Sequence, residues 1–141
     1  MSVEIIYREN APLLIEALVA LYDSVGWAAY TANLGKMARL LPGALWHLSA
    51  WAGELPVGLV RVVGDDCSVA YVQDVLVRPD WQRRGIGREL LRRTLARFSH
   101  VRQTVLLTDD APETRAFYQA LGFAEAVSLG TRCFVRFQGD R

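Results

Sequence analysis

One stretch of the chain decides the fold, and it reads Val75-Leu76-Val77-Arg78-Pro79-Asp80-Trp81-Gln82-Arg83-Arg84-Gly85-Ile86-Gly87-Arg88. An apolar run ends at Arg78-Pro79, as a buried strand does where proline removes a backbone donor. Residues 84–98 then place apolar and charged side chains with the period of a helix. The stretch therefore predicts a buried strand, a short turn and a helix that opens on two glycines.

The start of this helix has the chemistry of a pyrophosphate site. A helix N-terminus leaves about four backbone N–H groups unpaired and carries the positive end of the helix dipole. Gly85 and Gly87 let a ligand approach those groups closely, and Arg83, Arg84 and Arg88 add positive charge. Because cations at a helix N-terminus are unfavourable unless an anion binds, their crowding favours an anion site over an ordinary solvated helix face.

Two other glycine-rich phosphate motifs do not match. A Rossmann fingerprint needs a third glycine where this chain has Leu90. A P-loop needs a Gly-Lys-Ser/Thr triplet, which the sequence lacks. A purely structural glycine turn remains the alternative at this point.

The elements around this stretch predict a mixed-sheet α/β or α+β protein. Asn10 and Asp110 are the expected helix caps, and Gly122 is the expected end of the last helix. In chain order we expect a strand at 3–7, a helix after residue 10, a helix at 27–41, a hairpin of strands 44–51 and 55–63, a strand at 67–77, the helix at 84–98, a strand at 104–108, a helix ending at 121, and strands at 123–129 and 132–137.

Length and composition bound the class of protein. With 141 residues we expect one domain over 1–141, and 52% hydrophobic with 22% charged residues excludes intrinsic disorder. No apolar run approaches the ~18–20 residues of a membrane span. A net charge of +1 disfavours a protein that depends on bulk nucleic-acid affinity. The N-terminus shows no secretory pattern, so a cytoplasmic location is expected.

Cysteine and histidine positions favour neither a disulfide framework nor a metal site. Cys67 and Cys133 lie in apolar, strand-like runs, which favours two reduced core thiols over one disulfide. His47 and His100 lack ligand spacing to cysteine or acidic residues, so no metal is expected.

The quoted stretch resembles the acyl-CoA signature of the GNAT superfamily of N-acyltransferases, Gln/Arg-x-x-Gly-x-Gly/Ala after an apolar strand. A second segment, Thr114-Arg115-Ala116-Phe117-Tyr118-Gln119-Ala120-Leu121-Gly122-Phe123, resembles that family's aromatic pair on a short helix followed by Leu-Gly-Phe. The resemblance implies a single GNAT domain with a six- to seven-stranded mixed sheet, splayed strands four and five, and about four helices.

The resemblance also implies acetyl-CoA as co-substrate. Backbone groups of Val75, Leu76 and Val77 would pair with the pantetheine arm. Tyr118 would give a proton to the leaving thiolate, a core aromatic being the alternative. The residues expected at the pyrophosphate are Gln82, Arg83, Arg84, Gly85, Ile86, Gly87 and Arg88. Ala111 stands where many members have an asparagine that contacts the cofactor, and Thr114 or Arg115 are the candidates to replace it.

On the acceptor side, Gln73 and Asp74 interrupt an apolar strand, at a point where family members have a bulge. An unpaired buried carboxylate is very costly, so Asp74 needs a partner, a cation or a cavity. We expect Asp74, or Gln73 through water, to receive the amine proton or to orient the amine, with a structural hydrogen bond as the equal alternative. Tyr71 stands where some relatives have a catalytic glutamate.

The acceptor pocket is expected at the first two helices, where Tyr22, Trp27 and Tyr30 form an aromatic wall beside Asp23. Apolar packing is the alternative for these aromatic residues. The sequence thus predicts direct transfer of an acetyl group from acetyl-CoA to the primary amine of a small molecule, without a metal. A peptide N-acetyltransferase, an acyl-CoA sensor and a nucleic-acid phosphate binder are the competing functions. A homodimer is expected from the family likeness, with no nucleic-acid or membrane partner.

Overall fold

The structure is a computed structural model that describes residues 3–139. The chain divides into two compact units, Met1–Leu107 and Thr108–Arg141. Within the described residues, the first unit holds a five-stranded sheet and four α-helices, and the second holds one α-helix and a 3-10 turn.

The sheet of the first unit follows chain order. Its strands are β1 (Ile5–Glu9), β2 (Trp46–Ala52), β3 (Leu55–Gly64), β4 (Val69–Val77) and β5 (Gln103–Leu106). Neighbours from β1 to β4 are antiparallel, and β5 runs parallel to β4. Because parallel neighbours need a crossover, a helix, α4 (Ile86–Arg97), connects β4 to β5.

Helices cover both faces of the sheet. Gly58 of β3 faces α4, since a side chain there would lie 3.2 Å from Ile86 and Leu90. The next residue, Leu59, points to the other face because side chains alternate along a strand. There it joins a core with α1 (Ile15–Ser24) and α3 (Leu34–Leu40).

Burial on both faces explains why β3 is apolar except at Arg61. Residues 56–62 of this strand are all buried, as expected for a strand covered by helices on either side. One charged residue, Arg61, lies among them and is 7% exposed.

Several predicted elements are confirmed. The fold class is α/β, residues 46–64 form the predicted hairpin, and α4 buries Ile86, Leu90 and Leu91. In the second unit, α5 (Pro112–Ala120) ends as predicted, because Gly122 adopts φ +93° and donates its N–H to Gln119.

The prediction of one helix over 27–41 is wrong. The structure has α2 (Ala28–Thr31) and α3, separated at Asn33. Asn33 has an extended backbone, and its side chain accepts the Lys36 N–H at 3.0 Å, so it caps a new helix.

The predictions that Asn10 and Asp110 cap helices are also wrong. Asn10 caps no helix: its side chain accepts the His47 N–H at 3.0 Å and ties the end of β1 to β2. At α5 the cap position is Ala111, and Asp109 rather than Asp110 accepts the Ala111 N–H at 3.0 Å.

The two last strands are not formed in the described part of the chain, so the sheet there has five strands rather than the expected six or seven. The described residues form five α-helices, where about four were expected, because the helix predicted over 27–41 is divided into α2 and α3. Residues 126–129 form a 3-10 turn, and residues 131–137 lie outside the five-stranded sheet. A strand-like pattern is local, whereas a strand also requires a ladder with a second strand, and the described sheet does not extend to these residues. Cys67 and Cys133 are exposed, not core thiols, because Cys67 precedes β4 in a turn and Cys133 lies in the segment outside the sheet.

Candidate functional site

The turn before α4 presents a run of backbone N–H groups. Arg83 and Gly85 have φ of +63° and +81°, on either side of Arg84. Alternating backbone of this kind turns successive N–H groups toward one concave surface, which suits an anion. Within residues 3–139, the N–H groups of residues 83–88 have no protein acceptor. The sequence-predicted pyrophosphate site is therefore a place where unpaired donors and a helix N-terminus coincide.

Side chains of the turn fix its shape. Arg84 donates to the Asp80 carbonyl at 3.2 Å and lies 4.6 Å over the Trp81 ring. Gln82 donates its side-chain amide to the Val77 carbonyl at 3.0 Å. Arg83 and Arg88 are exposed at the same end of the helix. The guanidinium of Arg84 thus supports the turn, while the other two arginines supply charge to its surface.

Charges along the outer face of α4 have partners of their own. Glu89 accepts from Arg92 and Arg93, and these hydrogen bonds lower its pKa to about 2. An ionised carboxylate in the first turn of a helix is also favoured by the helix dipole.

The pairing of β4 with β5 ends before the segment of β4 where the cofactor arm is expected. Pairing with β5 runs from Val69 to Val72 and stops there, so residues 73–77 have no β5 neighbour. Arg78 donates its N–H to β3, at Val57. Because backbone groups alternate along a strand, those of Val75 and Val77 face away from β3 while those of Leu76 face it. The side of β4 away from β3 is thus open to hydrogen bonding by an extended arm.

A bulge in β4 lies just before this open segment. Arg61 is opposite Asp74 while the next residue of β3, Val62, is opposite Val72, so Gln73 is the extra residue. The bulge predicted at residues 73–74 is therefore present, and both side chains reach the same hydroxyl, that of Tyr30.

Asp74 is buried and accepts three hydrogen bonds. Arg61 Nε and the Tyr22 hydroxyl each donate to Oδ2 at 2.8 Å, and the Tyr30 hydroxyl donates to Oδ1 at 2.6 Å. Asp74 is 2% exposed. The partner that a buried carboxylate requires is therefore Arg61, with two phenols completing the network.

Arg61 was not predicted as a site residue. The signal was present in the sequence, because β3 and β4 each carry a charged residue within an otherwise apolar run. Finding the pair required the register that places Arg61 opposite Asp74, and the bulge shifts that register by one residue.

The network changes the ionisation of its members. Burial raises the pKa of Tyr22 and of Tyr30 above the ordinary tyrosine value, and the negative charge of Asp74 raises both further. Burial alone would lower the pKa of Arg61, but the charge and hydrogen bond of Asp74 raise it. Both phenols therefore stay protonated and the guanidinium stays charged at neutral pH.

The predicted aromatic wall is present, with unequal exposure. Tyr22 packs edge-on against Trp27 and Tyr30 at centroid distances of 5.8 and 5.0 Å. Tyr22 is 0% exposed, whereas Trp27 and Tyr30 are half-buried. The rings that can meet a ligand are therefore those of Trp27 and Tyr30.

Tyr118 lies on α5 of the second unit. Its ring packs against Phe117 and Phe123 at centroid distances of 5.1 and 5.7 Å. Burial raises the pKa of Tyr118, and the charge of Asp109 raises it further. The phenol is thus held in its protonated form.

The candidates to replace the family asparagine at Ala111 differ in their surroundings. Thr114 lies beside Asp109 and helps to lower the pKa of that carboxyl, after the Ala111 N–H. Arg115 lies 4.0 Å from Asp110 and from Glu125.

The histidines have structural partners. The His47 ring nitrogen Nε2 lies 2.9 Å from the Ala11 carbonyl, and that of His100 lies 2.8 Å from Asp66. Over the described residues, no three His, Cys, Asp or Glu side chains come together as a metal site would require. No helix among residues 3–139 is both long and apolar enough to span a membrane.

Comparison with known proteins identifies the family. The family profile of the GNAT acetyltransferase domain matches residues 45–125, which include β2 to β5, the turn at 82–88 and α5. The chain belongs to the GNAT family of acetyltransferases, a family of acyltransferase enzymes.

Individual relatives agree with this membership. A GNAT-family acetyltransferase from Streptococcus pneumoniae TIGR4 superposes with a TM-score of 0.85 at 28% identity, over 97% of this chain and 100% of the other. An uncharacterized ycf52-like N-acetyltransferase of Prochlorococcus marinus is 30% identical over 85% of this chain and 67% of its own length. Serotonin N-acetyltransferase 2 of Oryza sativa subsp. japonica is 38% identical over 83% of this chain and 60% of its own length.

More distant structures share the fold. Aminoglycoside N-acetyltransferase AAC(6')-Iy in complex with CoA superposes with a TM-score of 0.68 at 19% identity, over 99% of this chain and 97% of the other. The alignments span between 51% and 70% of the length of the curated relatives that the chain matches.

Proposed function

We propose that the protein transfers an acetyl group from acetyl-CoA directly to the primary amine of a small molecule. The observation that carries this proposal is the run of unpaired N–H groups at residues 83–88, on a turn that follows the open segment of β4. A diphosphate followed by an extended, amide-bearing arm is the ligand that these two features fit together.

The chain would bind the co-substrate with backbone more than with side chains. Residues 83–88 donate to the diphosphate, and Arg83 and Arg88 add charge. Val75 and Val77 offer backbone groups to the pantetheine arm, while Gln82 occupies the Val77 carbonyl and limits pairing at that end. Acetyl-CoA supplies the activated acetyl group as a thioester.

Transfer then proceeds without an acyl-enzyme, because the described site contains no activated serine or cysteine nucleophile. The amine nitrogen forms a bond to the carbonyl carbon, the C–S bond breaks, and the sulfur leaves as thiolate. Tyr118 keeps the role that the family resemblance implies and gives its proton to that thiolate, for which its protonated phenol is suited. The proton lost by the amine goes to water rather than to Asp74, which is 2% exposed and paired with the Arg61 guanidinium.

The relatives support a small amine as acceptor. One curated relative is named a serotonin N-acetyltransferase, and structures of the same fold are named aminoglycoside acetyltransferases. The half-buried Trp27 and Tyr30 rings offer a π-face to an ammonium group.

A homodimer and a cytoplasmic location stay predictions. The dimer is supported by the apolar side chains that the second unit exposes, among them Phe134 at 91% and Leu129 at 69%. Light scattering on the purified protein measures the mass, and a monomer across micromolar concentrations contradicts the dimer.

An amine-panel assay tests the function. Wild-type protein is incubated with acetyl-CoA and single primary amines, and free thiol is measured with a chromogenic disulfide. We expect thiol release with small amines and none with their N,N-dimethyl analogues, which cannot form a stable amide. If none of the amines in the panel causes thiol release, although CoA binds tightly, the protein would instead be a sensor.

A further inference from the structure

We propose that the Tyr30 hydroxyl oxygen is the atom that accepts an N–H of the acceptor amine, and that Asp74 and Arg61 are positioning residues that make this oxygen an acceptor only. The proposal rests on the function above, and it assigns a specificity-determining residue to it. Its basis is the direction of each proton in the buried network.

The chemistry of Arg61, Asp74 and Tyr30 determines which group donates and which accepts in each hydrogen bond between them. Asp74 is paired with a guanidinium, so its oxygens accept and do not donate. The single hydroxyl proton of Tyr30 is used in the 2.6 Å bond to Asp74 Oδ1. The Tyr30 oxygen therefore has only lone pairs left to offer, and a ligand atom that meets it must donate.

A donor already in place shows this preference. The Gln73 side-chain amide donates to the Tyr30 oxygen at 3.3 Å, from an exposed position on the β4 bulge. This hydrogen bond is long, so a stronger donor can compete with the Gln73 amide for the Tyr30 oxygen. An ammonium or amine N–H is such a donor, and the 2.6 Å hydrogen bond that Tyr30 donates to Asp74 polarises the phenol oxygen and strengthens it as an acceptor.

Exposure singles out Tyr30 among the partners of Asp74. Tyr22 makes a hydrogen bond of similar length to the same carboxylate, but it is 0% exposed. Arg61 is also buried. Tyr30 is half-buried and has Trp27 at a ring distance of 6.0 Å, which gives a cation an aromatic neighbour next to the hydroxyl.

The position along the strand agrees with this role. Asp74 and Gln73 immediately precede Val75, where β4 becomes open on the side away from β3. An amine held at Tyr30 is thus held beside the strand segment that we assign to the cofactor arm. Arg61 neutralises Asp74, so that the buried carboxylate can be retained at this place in the strand.

Direct binding of two matched probes tests the proposal. Phenethylamine carries N–H donors, whereas trimethylphenethylammonium keeps the positive charge and the ring but has none. Calorimetry with each probe requires no acetyl-CoA and no turnover. We expect wild-type protein to bind phenethylamine about tenfold more tightly than the trimethyl analogue, as one charge-assisted hydrogen bond implies.

The Tyr30→Phe variant should bind both probes alike, with phenethylamine weakened about tenfold. Tyr22→Phe is the matched control, because it removes an equivalent hydroxyl from Asp74 at a buried position, and it should keep the wild-type preference. Equal affinity of wild-type protein for the two probes, or no binding of phenethylamine, overturns the proposal. An equal loss of the preference for phenethylamine in Tyr30→Phe and Tyr22→Phe also overturns the proposal, because the network then has a structural role alone.

A second variant covers the case in which Tyr30→Phe does not fold, and a separate measurement tests the proposed function itself. Should Tyr30→Phe fail to fold, Gln73→Met tests the same oxygen, because removal of its competing donor should tighten phenethylamine binding without changing that of the trimethyl analogue; an unchanged ratio overturns the proposal. Failure of the proposed function is seen independently, as absence of CoA binding or of thiol release by the wild-type protein.

Discussion

At the scale of single residues, the pair of Arg61 and Asp74 has the largest energetic consequence. Removing one member of a buried ion pair leaves the other charged and unpaired, which costs about 3 kcal/mol or more. We expect Asp74→Asn to lower the free energy of unfolding by about 3 kcal/mol in urea denaturation, since it strands the guanidinium. The exposed Asp23→Asn should change it by less than about 0.5 kcal/mol. Equal values for the two variants contradict the network.

A second residue-scale prediction concerns Tyr118 as proton donor. Tyr118→Phe should lower kcat about 100-fold and leave CoA affinity unchanged, because only the acid is lost. Tyr7→Phe, on β1, should leave kcat unchanged. A Tyr118→Phe enzyme with wild-type kcat removes Tyr118 from the mechanism.

The pH dependence of kcat follows from the raised pKa of Tyr118. A proton donor must act in its protonated form, and a pKa above the ordinary value of about 10 keeps the Tyr118 phenol protonated up to that pH. We therefore expect no alkaline loss of kcat from this group below about pH 10, measured with an amine whose own protonation is corrected for. An alkaline limb near pH 8 that disappears in Tyr118→Phe contradicts the raised pKa.

Single members of the buried network are recognisable in the sequence, but their partners are not. Asp74 was recognisable because a carboxylate in an apolar strand demands compensation, and Tyr30 because of its aromatic neighbours. Their contact with each other, and with Arg61, depends on strand register and on the bulge at Gln73, which no local pattern encodes.

At the scale of elements, the contact between β3 and α4 positions the helix start at which we propose the anion site. A side chain at Gly58 would lie 3.2 Å from Ile86 and Leu90, and Ile86 is the first residue of α4. We expect Gly58→Val to destabilise the protein by about 1–3 kcal/mol through overpacking and to weaken CoA binding as the helix start is displaced. Gly35→Ala in α3 meets only ordinary contacts and should be neutral or slightly stabilising. Wild-type CoA affinity in Gly58→Val contradicts the coupling.

Another prediction for α4 addresses the helix start directly. Gly87→Leu places a side chain where the diphosphate is assigned, and it should weaken CoA binding at least 100-fold in calorimetry while circular dichroism and the thermal midpoint stay near wild type. Arg93→Leu, further along the outer face of the same helix, is the control and should bind CoA normally. Undiminished CoA affinity in Gly87→Leu contradicts the assignment.

Elements with a strong local signal were predictable and those that rely on distant partners were not. The hairpin, α4 and the glycine end of α5 follow from turn residues and apolar periodicity. The helix expected over 27–41 breaks because Asn33 caps a second helix, and the pattern at 123–137 forms no strand of the described sheet, which ends at β5.

At the scale of the whole molecule, ligand binding should appear as stability. A ligand at 100 times its Kd stabilises the folded state by about 2.7 kcal/mol, so CoA should raise the thermal midpoint by about 8 °C. The shift should shrink with added salt, because Arg83 and Arg88 contribute through exposed charge. Pantetheine, which lacks the diphosphate, should give a much smaller shift, and an equal shift with both ligands contradicts a diphosphate site.

The most direct measurement is a titration of the ¹⁵N-labelled protein with CoA, followed by amide NMR. The account predicts that the N–H resonances of residues 83–88 shift on addition of CoA and return toward their free positions when pantetheine replaces it. CoA binding that leaves these resonances unmoved, while amides elsewhere respond, would contradict the account.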